Sequence, residues 1–209
     1  MKHATPLVIT ISRQLGCGGA YIGQQLSMEL SIHYSDREII RKAAEQLSIS
    51  EKQLDLQDEK TQSFWDSFAF CNVYSADIYI PPPIQIMPTS YELFDIESEI
   101  IEHIAREHSS VIIGRCGFHV LRNHPNHVSI FLHGDMTFRN RRIQKLYNVS
   151  EKEAAAMIMK SDKEREQYVH TFTDCKWADA TLYDLSIDTS KLDLDDCVKF
   201  IIDYLNFPD

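Results

Sequence analysis

The residues best suited to chemistry lie near the amino terminus, in the run Ser12-Arg13-Gln14-Leu15-Gly16-Cys17-Gly18-Gly19-Ala20-Tyr21. The chain has only 7 glycines, and four of them, Gly16, Gly18, Gly19 and Gly23, fall within the eight positions 16–23. Glycine at such a place lets consecutive backbone N–H groups curl around a phosphate with no side chain in the way. A standard phosphate loop reads G-x-x-x-x-G-K-[ST], its lysine reaching the phosphates and its hydroxyl holding magnesium. With Gly18 on the second glycine, Arg13 falls on the first, Gly19 on the lysine and Ala20 on the hydroxyl. The loop therefore keeps its amides but lacks its own cation. Arg13 is the leading substitute, since a guanidinium stays charged and grips phosphate oxygens through two N–H groups. Pairing with a neighbouring acid is the plainer role for it.

Other arginines could supply more charge. Arg115 stands in VIIGRCG, with Gly114 and Gly117 giving its backbone room. Asp36 and Arg37 open a helical pattern, where the acid could orient an acceptor or magnesium-bound water, or simply suit a helix amino terminus. Arg139 and Arg142 are three apart, as are Asp162 and Arg165, a spacing that shares a helix face and equally suits ion pairs within the helix. Asp188-Thr189-Ser190 follows the last apolar run. Cys17 is the one thiol that a helix amino terminus would activate, although a small side chain there needs no further reason. The 5 cysteines are odd in number and include no C-x-x-C, so neither a disulfide framework nor a zinc site is expected, and a reducing cytoplasm fits best. A net charge of −10 argues against nucleic acid as a partner. The short apolar start is neither a signal peptide nor a bilayer span.

Patterning supplies the elements that must position these groups. Leu7 to Ile11 reads as a strand buried on both faces and runs directly into the glycines; Ile22, Leu26 and Leu30 then mark a helix. Val111 to Ile113, Val128 to Leu132 and Leu182 to Ile187 read as further strands. Leu194, Val198, Ile201 and Leu205 form the last helical stripe. Ser35 with Glu38, Thr89 with Glu92 and Ser150 with Glu153 carry the capping-box signature of helix starts. Strands alternating with helices predict an α/β fold with a parallel sheet covered on both faces. Residues 60–90 break the rhythm with aromatics and prolines, a stretch suited to covering a ligand, to homo-oligomer contact, or to ordinary packing.

As a whole the chain resembles the cytidylate kinase-like family, a divergent branch of the P-loop nucleoside monophosphate kinases. The most specific pieces are ISRQ-x-G-x-GG, I-x-GR after the middle strand, and D-K-x-R-x-x-Y before YDL-x-I-x-TS. The resemblance spans about residues 7–205 and implies a three-layer P-loop NTPase fold, about five parallel strands, and a single domain over 1–209. It also implies an acceptor-side helical insert at about 36–90 and a helical lid at about 139–173. It implies ATP with Mg2+, whose ligands are not assigned, and a nucleoside monophosphate, nominally CMP, or another small acceptor. Ser12, Gly16, Cys17, Gly18, Gly19, Ala20 and Tyr21 would hold the nucleotide, and Asp36, Arg37 and Arg115 the acceptor. Arg13, Arg115, Arg139, Arg142, Asp162 and Arg165 would stabilise the transferring group. The alternative is a nucleotide-binding protein without turnover.

Overall fold

A computed structural model describes residues 5–47 and 90–207. The first strand, β1 (Val8–Arg13), is apolar and β-branched because both its faces are covered, and its alternation divides it between two layers. Ile9 and Ile11 pack with Ile22 and Leu26 of α1 (Gly19–Leu30) and with Val198 and Ile201 of α7 (Leu194–Leu205). On the opposite face Val8 packs with Ile39 and Ile40 of α2 (Arg37–Leu47) and Ile101 and Ile104 of α3 (Ser90–Glu107). The remaining strands are β2 (His33–Ser35), β3 (Ser110–Ile113), β4 (His127–His133) and β5 (Leu185–Asp188). All pair in parallel, in the order β2-β3-β1-β4-β5, which makes β1 the central strand. In such a sheet ligands meet the carboxyl ends of the strands, where the chain's crossovers diverge. Truncating Ile11, fully buried there, to alanine would cost about 2–5 kcal/mol.

After the short α4 (Gly117–Val120) and β4, the chain forms a two-helix arm, α5 (Met136–Tyr147) and α6 (Glu151–Thr173). Ser150 and Glu153 make the reciprocal capping box, and Asn148 ends α5 in the left-handed conformation. The far end of α6 rests on α3 through aromatic rings. Phe94 stacks on Phe172 at 4.5 Å, and Phe172 also meets Tyr91 and Tyr168 edge-on.

Two local expectations are corrected. Ser35 and Glu38 form no capping box: pairing with Ile112 draws Ser35 into β2 as a buried residue, and Glu38 instead meets His33 and Lys42. The last strand starts at Leu185, not Leu182, because residues 180–182 form a 3-10 turn and Asp184 turns back to accept from the Ser129 N–H at 2.7 Å. Thr89 and the aromatic stretch up to residue 89, with the oligomer expectation that rests on it, lie outside the described residues.

Candidate functional site

Arg13 closes β1, and the chain then makes a tight turn into α1. Gly16 and Gly18 both have positive φ, 91° and 81°. At Gly18 a side chain would also strike Leu194 of α7, 2.7 Å from where its Cβ would sit. Gly18 is therefore demanded by its conformation, and a Cβ there would also have to displace the end of the Leu194 side chain. The turn delivers the first N–H groups of α1 to the carboxyl edge of the sheet, where they carry the positive end of the helix dipole.

In front of this loop lies a cleft of about 270 Å³, close to the lower limit for small-molecule sites. Arg13, Gly16, Gly18, Gly19, Ala20 and Tyr21 form one wall, Asp36 and Arg37 another, and Arg142 and Arg165 reach in from the arm. Leu15, Ile143, Leu146 and Tyr147 supply an apolar side. Burial pushes the Tyr147 phenol up to about 12, so it is a neutral surface for a ligand to lie against. Four guanidiniums and one carboxylate face the same space, which suits a polyanion.

Asp36 is the unfinished member of that wall. Its Oδ2 accepts from the Tyr34 hydroxyl at 3.3 Å, whereas its Oδ1 is buried and has no hydrogen-bond partner among the described residues. Burial, and then the Asp36 charge, hold the Tyr34 phenol above its ordinary range. A buried carboxylate oxygen without a donor calls for a ligand hydroxyl, an ordered water or a cation. Among the described residues no group of three His, Cys, Asp or Glu could hold a metal. Magnesium at ATP sites takes one or two protein carboxylates and completes its shell with phosphates and water, and Asp36 fits that limited role.

Behind the loop the groups are braces. Arg139 is buried; its Nε donates to the Gly134 carbonyl at 3.0 Å, and its guanidinium also donates to the Leu15 carbonyl at 3.3 Å and pairs with Asp162. Asp162 in turn accepts from the Leu15 N–H at 2.8 Å. Arg139 and Asp162, grouped by sequence with the transferring phosphate, thus hold the back of the loop instead of lining the cleft. Three residues turn a helix by about 300°, and the offset left over puts Arg139 inward and Arg142 toward the cleft.

Cys17 is also part of the brace. It is fully buried, and burial pushes its thiol up to about 12 despite a hydrogen bond with Thr189 and the nearby Arg139 charge. Desolvation outweighs the helix dipole, so Cys17 is not an activated thiol. Thr189 donates to the His133 carbonyl at 3.2 Å, and Asp188 accepts from Ser190 N at 2.9 Å, so these residues shape the turn after β5.

Arg115 occupies a separate place. With Ser12, Arg13 and Arg165 it lines a crevice of about 10 Å³, room for about one water. Arg115 is 2% exposed and donates to Glu97 Oε1 at 2.9 Å, while Glu97, 1% exposed, also accepts from the Tyr168 hydroxyl at 2.9 Å. Gly114, Arg115 and Cys116 have φ of 73°, 57° and 53° in succession. A left-handed non-glycine residue costs about 1–2 kcal/mol. The buried ion pair and the aromatic packing of Cys116 beside Phe118 and Trp177 hold this turn. Glu97 was not singled out from sequence, yet it carried a signal. It is a charge on the apolar face formed by Leu93, Ile100, Ile101 and Ile104.

A glycine loop between a central parallel strand and its helix, with arginines converging on it from a helical arm, defines a P-loop kinase-like protein. The model of the cytidylate kinase-like family matches residues 8–191, and the chain belongs to that family. Among solved structures it is similar to an uncharacterized protein from Eubacterium ventriosum ATCC 27560, at 24% identity and TM-score 0.70, covering 97% of this chain and 99% of that one. It shares its fold with a shikimate kinase from Bacteroides thetaiotaomicron, at 11% identity and TM-score 0.53 over 96% and 99% of the two chains. A gluconokinase from Sinorhizobium meliloti 1021 is alike at 11% identity and TM-score 0.53 over 97% and 93%. No curated protein matches the chain. Among the described residues no helix is long and apolar enough to cross a membrane.

Proposed function

We propose that the protein is a phosphotransferase that moves the γ-phosphoryl group of Mg-ATP to a small acceptor, nominally a nucleoside monophosphate such as CMP. The observation that carries this reading is the cleft itself, where glycine-loop amides, four arginines from four parts of the chain and one incompletely bonded carboxylate face a common space. The loop and Arg13 would hold the donor phosphates. Asp36 and Arg37 would hold the acceptor, and Arg142 and Arg165 would meet the charge spread over the group in flight. Magnesium, when bound, would offset the charge of the donor phosphates, and Asp36 is the carboxylate that would help to hold it. An acceptor oxygen attacks the γ-phosphorus, the bond to the β,γ-bridging oxygen breaks, and ADP leaves with that electron pair. If the acceptor is a hydroxyl, its proton passes to Asp36 or to water; if it is an ionised phosphate oxygen, there is none to pass. Positioning and electrostatics are most of what such a transfer requires.

The Asp36 oxygen also favours acceptors that present a hydroxyl, so hydroxylated acids such as shikimate and gluconate belong in the test beside the nucleotides. The protein is incubated with ATP, magnesium and the panel, and ADP and phosphorylated product are measured. ADP formed in step with one acceptor supports the transfer. Nucleotide binding by calorimetry with no product from any acceptor would leave the second reading, a nucleotide binder without turnover, which the lysine missing at position 19 favours.

A further inference from the structure

The lysine of a standard phosphate loop is replaced here by Gly19, and the structure shows what fills the space. A Cβ built on Gly19 would lie 2.8 Å from Arg13 Cγ and 3.0 Å from Arg13 Cβ. A real Cβ does not come within 2.8 Å of another carbon, so a side chain at 19 and the present path of Arg13 beyond its Cβ exclude each other. Gly19 has no positive φ to explain it, unlike Gly16 and Gly18. The close approach of Arg13 is the constraint that makes this residue a glycine.

Arg13 Cγ thus stands 2.8 Å from where the Cβ of a lysine at 19 would stand, close enough that the two overlap. From those two atoms the same number of bonds leads to the terminal nitrogens, through Cδ, Nε and Cζ in arginine and through Cγ, Cδ and Cε in lysine. The two side chains therefore set out from neighbouring points and span the same number of bonds. Arg13 lines the cleft together with Gly16, Gly18 and Ala20. Asp36 lines the same cleft.

We infer that Arg13 and Gly19 are an exchanged pair, in which the cation of the phosphate loop has moved from the first residue of α1 to the last residue of β1 and the position it left must stay empty. The inference rests on the phosphotransferase reading and specifies how that site holds its donor. A guanidinium in this place can contact two phosphate oxygens where an ammonium contacts one.

The exchange is tested by reversing it. Four proteins are compared by thermal unfolding and by calorimetric titration with Mg-ADP and Mg-ATP: the natural chain, Arg13→Ala, Gly19→Lys, and the double variant Arg13→Ala/Gly19→Lys. Arg13→Ala should fold normally and bind nucleotide at least tenfold more weakly. Gly19→Lys alone should unfold at a lower temperature, because two side chains compete for one space. The double variant should melt above Gly19→Lys and come within about threefold of the natural affinity. A fifth protein, Gly19→Ala, isolates the steric half: its destabilisation should shrink when Arg13 is also alanine, which removes the contact with Cγ at 2.8 Å and keeps the one with Cβ at 3.0 Å. Undiminished binding by Arg13→Ala, or a folded double variant as weak as Arg13→Ala, overturns the exchange while leaving the phosphotransferase reading intact. A natural chain that binds neither nucleotide overturns both.

Discussion

The two ends of the parallel sheet are built differently. At the amino end, polar groups meet in hydrogen-bonded pairs. Thr10 Oγ1 shares a hydrogen bond with His127 Nε2 at 2.8 Å, Ser129 donates to Asp184 at 2.8 Å, and Leu7 N–H donates to Ser109 at 3.0 Å. At the carboxyl end stand Arg13, Arg115 and Asp36, and also five of the eight positive φ angles among the described residues: Gly16, Gly18, Gly114, Arg115 and Cys116. The other three, Ser31, Asn148 and Asp174, are helix C-caps, where that conformation is ordinary. Backbone strain and incompletely bonded charge therefore share one end, the end that faces the cleft. Strain of this kind persists only where its surroundings hold it and is concentrated at ligand sites. The amino end serves stability, and the carboxyl end gives some up.

The largest effect that sharpens this contrast is expected from Glu97→Ala. It leaves Arg115 as a buried cation without its carboxylate, at a cost of about 3–5 kcal/mol, read as a lower midpoint in chemical denaturation. A loss below about 1 kcal/mol would mean that the turn after β3 does not depend on the pair.

The amino end should betray itself through pH. Burial pushes His127 down to about 4, against which a weaker pull from Asp184 does little. Above about 6.5 the ring is neutral whether the chain is folded or unfolded, so it contributes nothing to the pH dependence. As pH falls from about 6.5 toward 4 the unfolded chain takes up a proton that the folded chain refuses, and stability drops by about 2–3 kcal/mol. Denaturation midpoints for the natural chain and His127→Gln should diverge in that window, with the variant showing the shallower fall. Parallel curves would remove His127 from the account.

The smallest change in stability is expected where function matters most. Asp36→Asn alters a side chain whose Oδ1 has no partner among the described residues to lose, so stability should shift by no more than about 0.5 kcal/mol. Acceptor turnover should nonetheless fall at least tenfold. A variant that is stabilised and still fully active would show that the orphaned oxygen is an accident of packing.

Much of this fold was legible because its signals are long or punctuated. β1, the glycine turn and α1 show a buried apolar run, a cluster of glycines and a helical stripe in succession. The capping box at Ser150 stood because nothing else competes for its atoms. β2 was not legible: three residues at a sheet edge, partly exposed, show no periodicity, and the Ser35 signature pointed to a cap that strand pairing overrides. In the site, spacing brought Arg142 and Arg165 to the cleft but could not tell that Arg139 turns away from it. That distinction depends on Asp162, which is distant in sequence. Glu97 could have been found by asking why an acid interrupts an apolar stripe.

The aromatic stack between α3 and α6 has a mechanical consequence. Phe94 and Phe172, with Tyr168 bonded to Glu97, fix the far end of α6, while the turn at Asn148 forms the opposite tip of the arm. The root of α5 is held too, by Arg139 bonded to the Leu15 and Gly134 carbonyls. Arg165 lies less than a turn from Tyr168, and Arg142 less than a turn from Arg139. Any flexing of the arm therefore falls on the tip at Asn148 and leaves both arginines nearly stationary beside the loop.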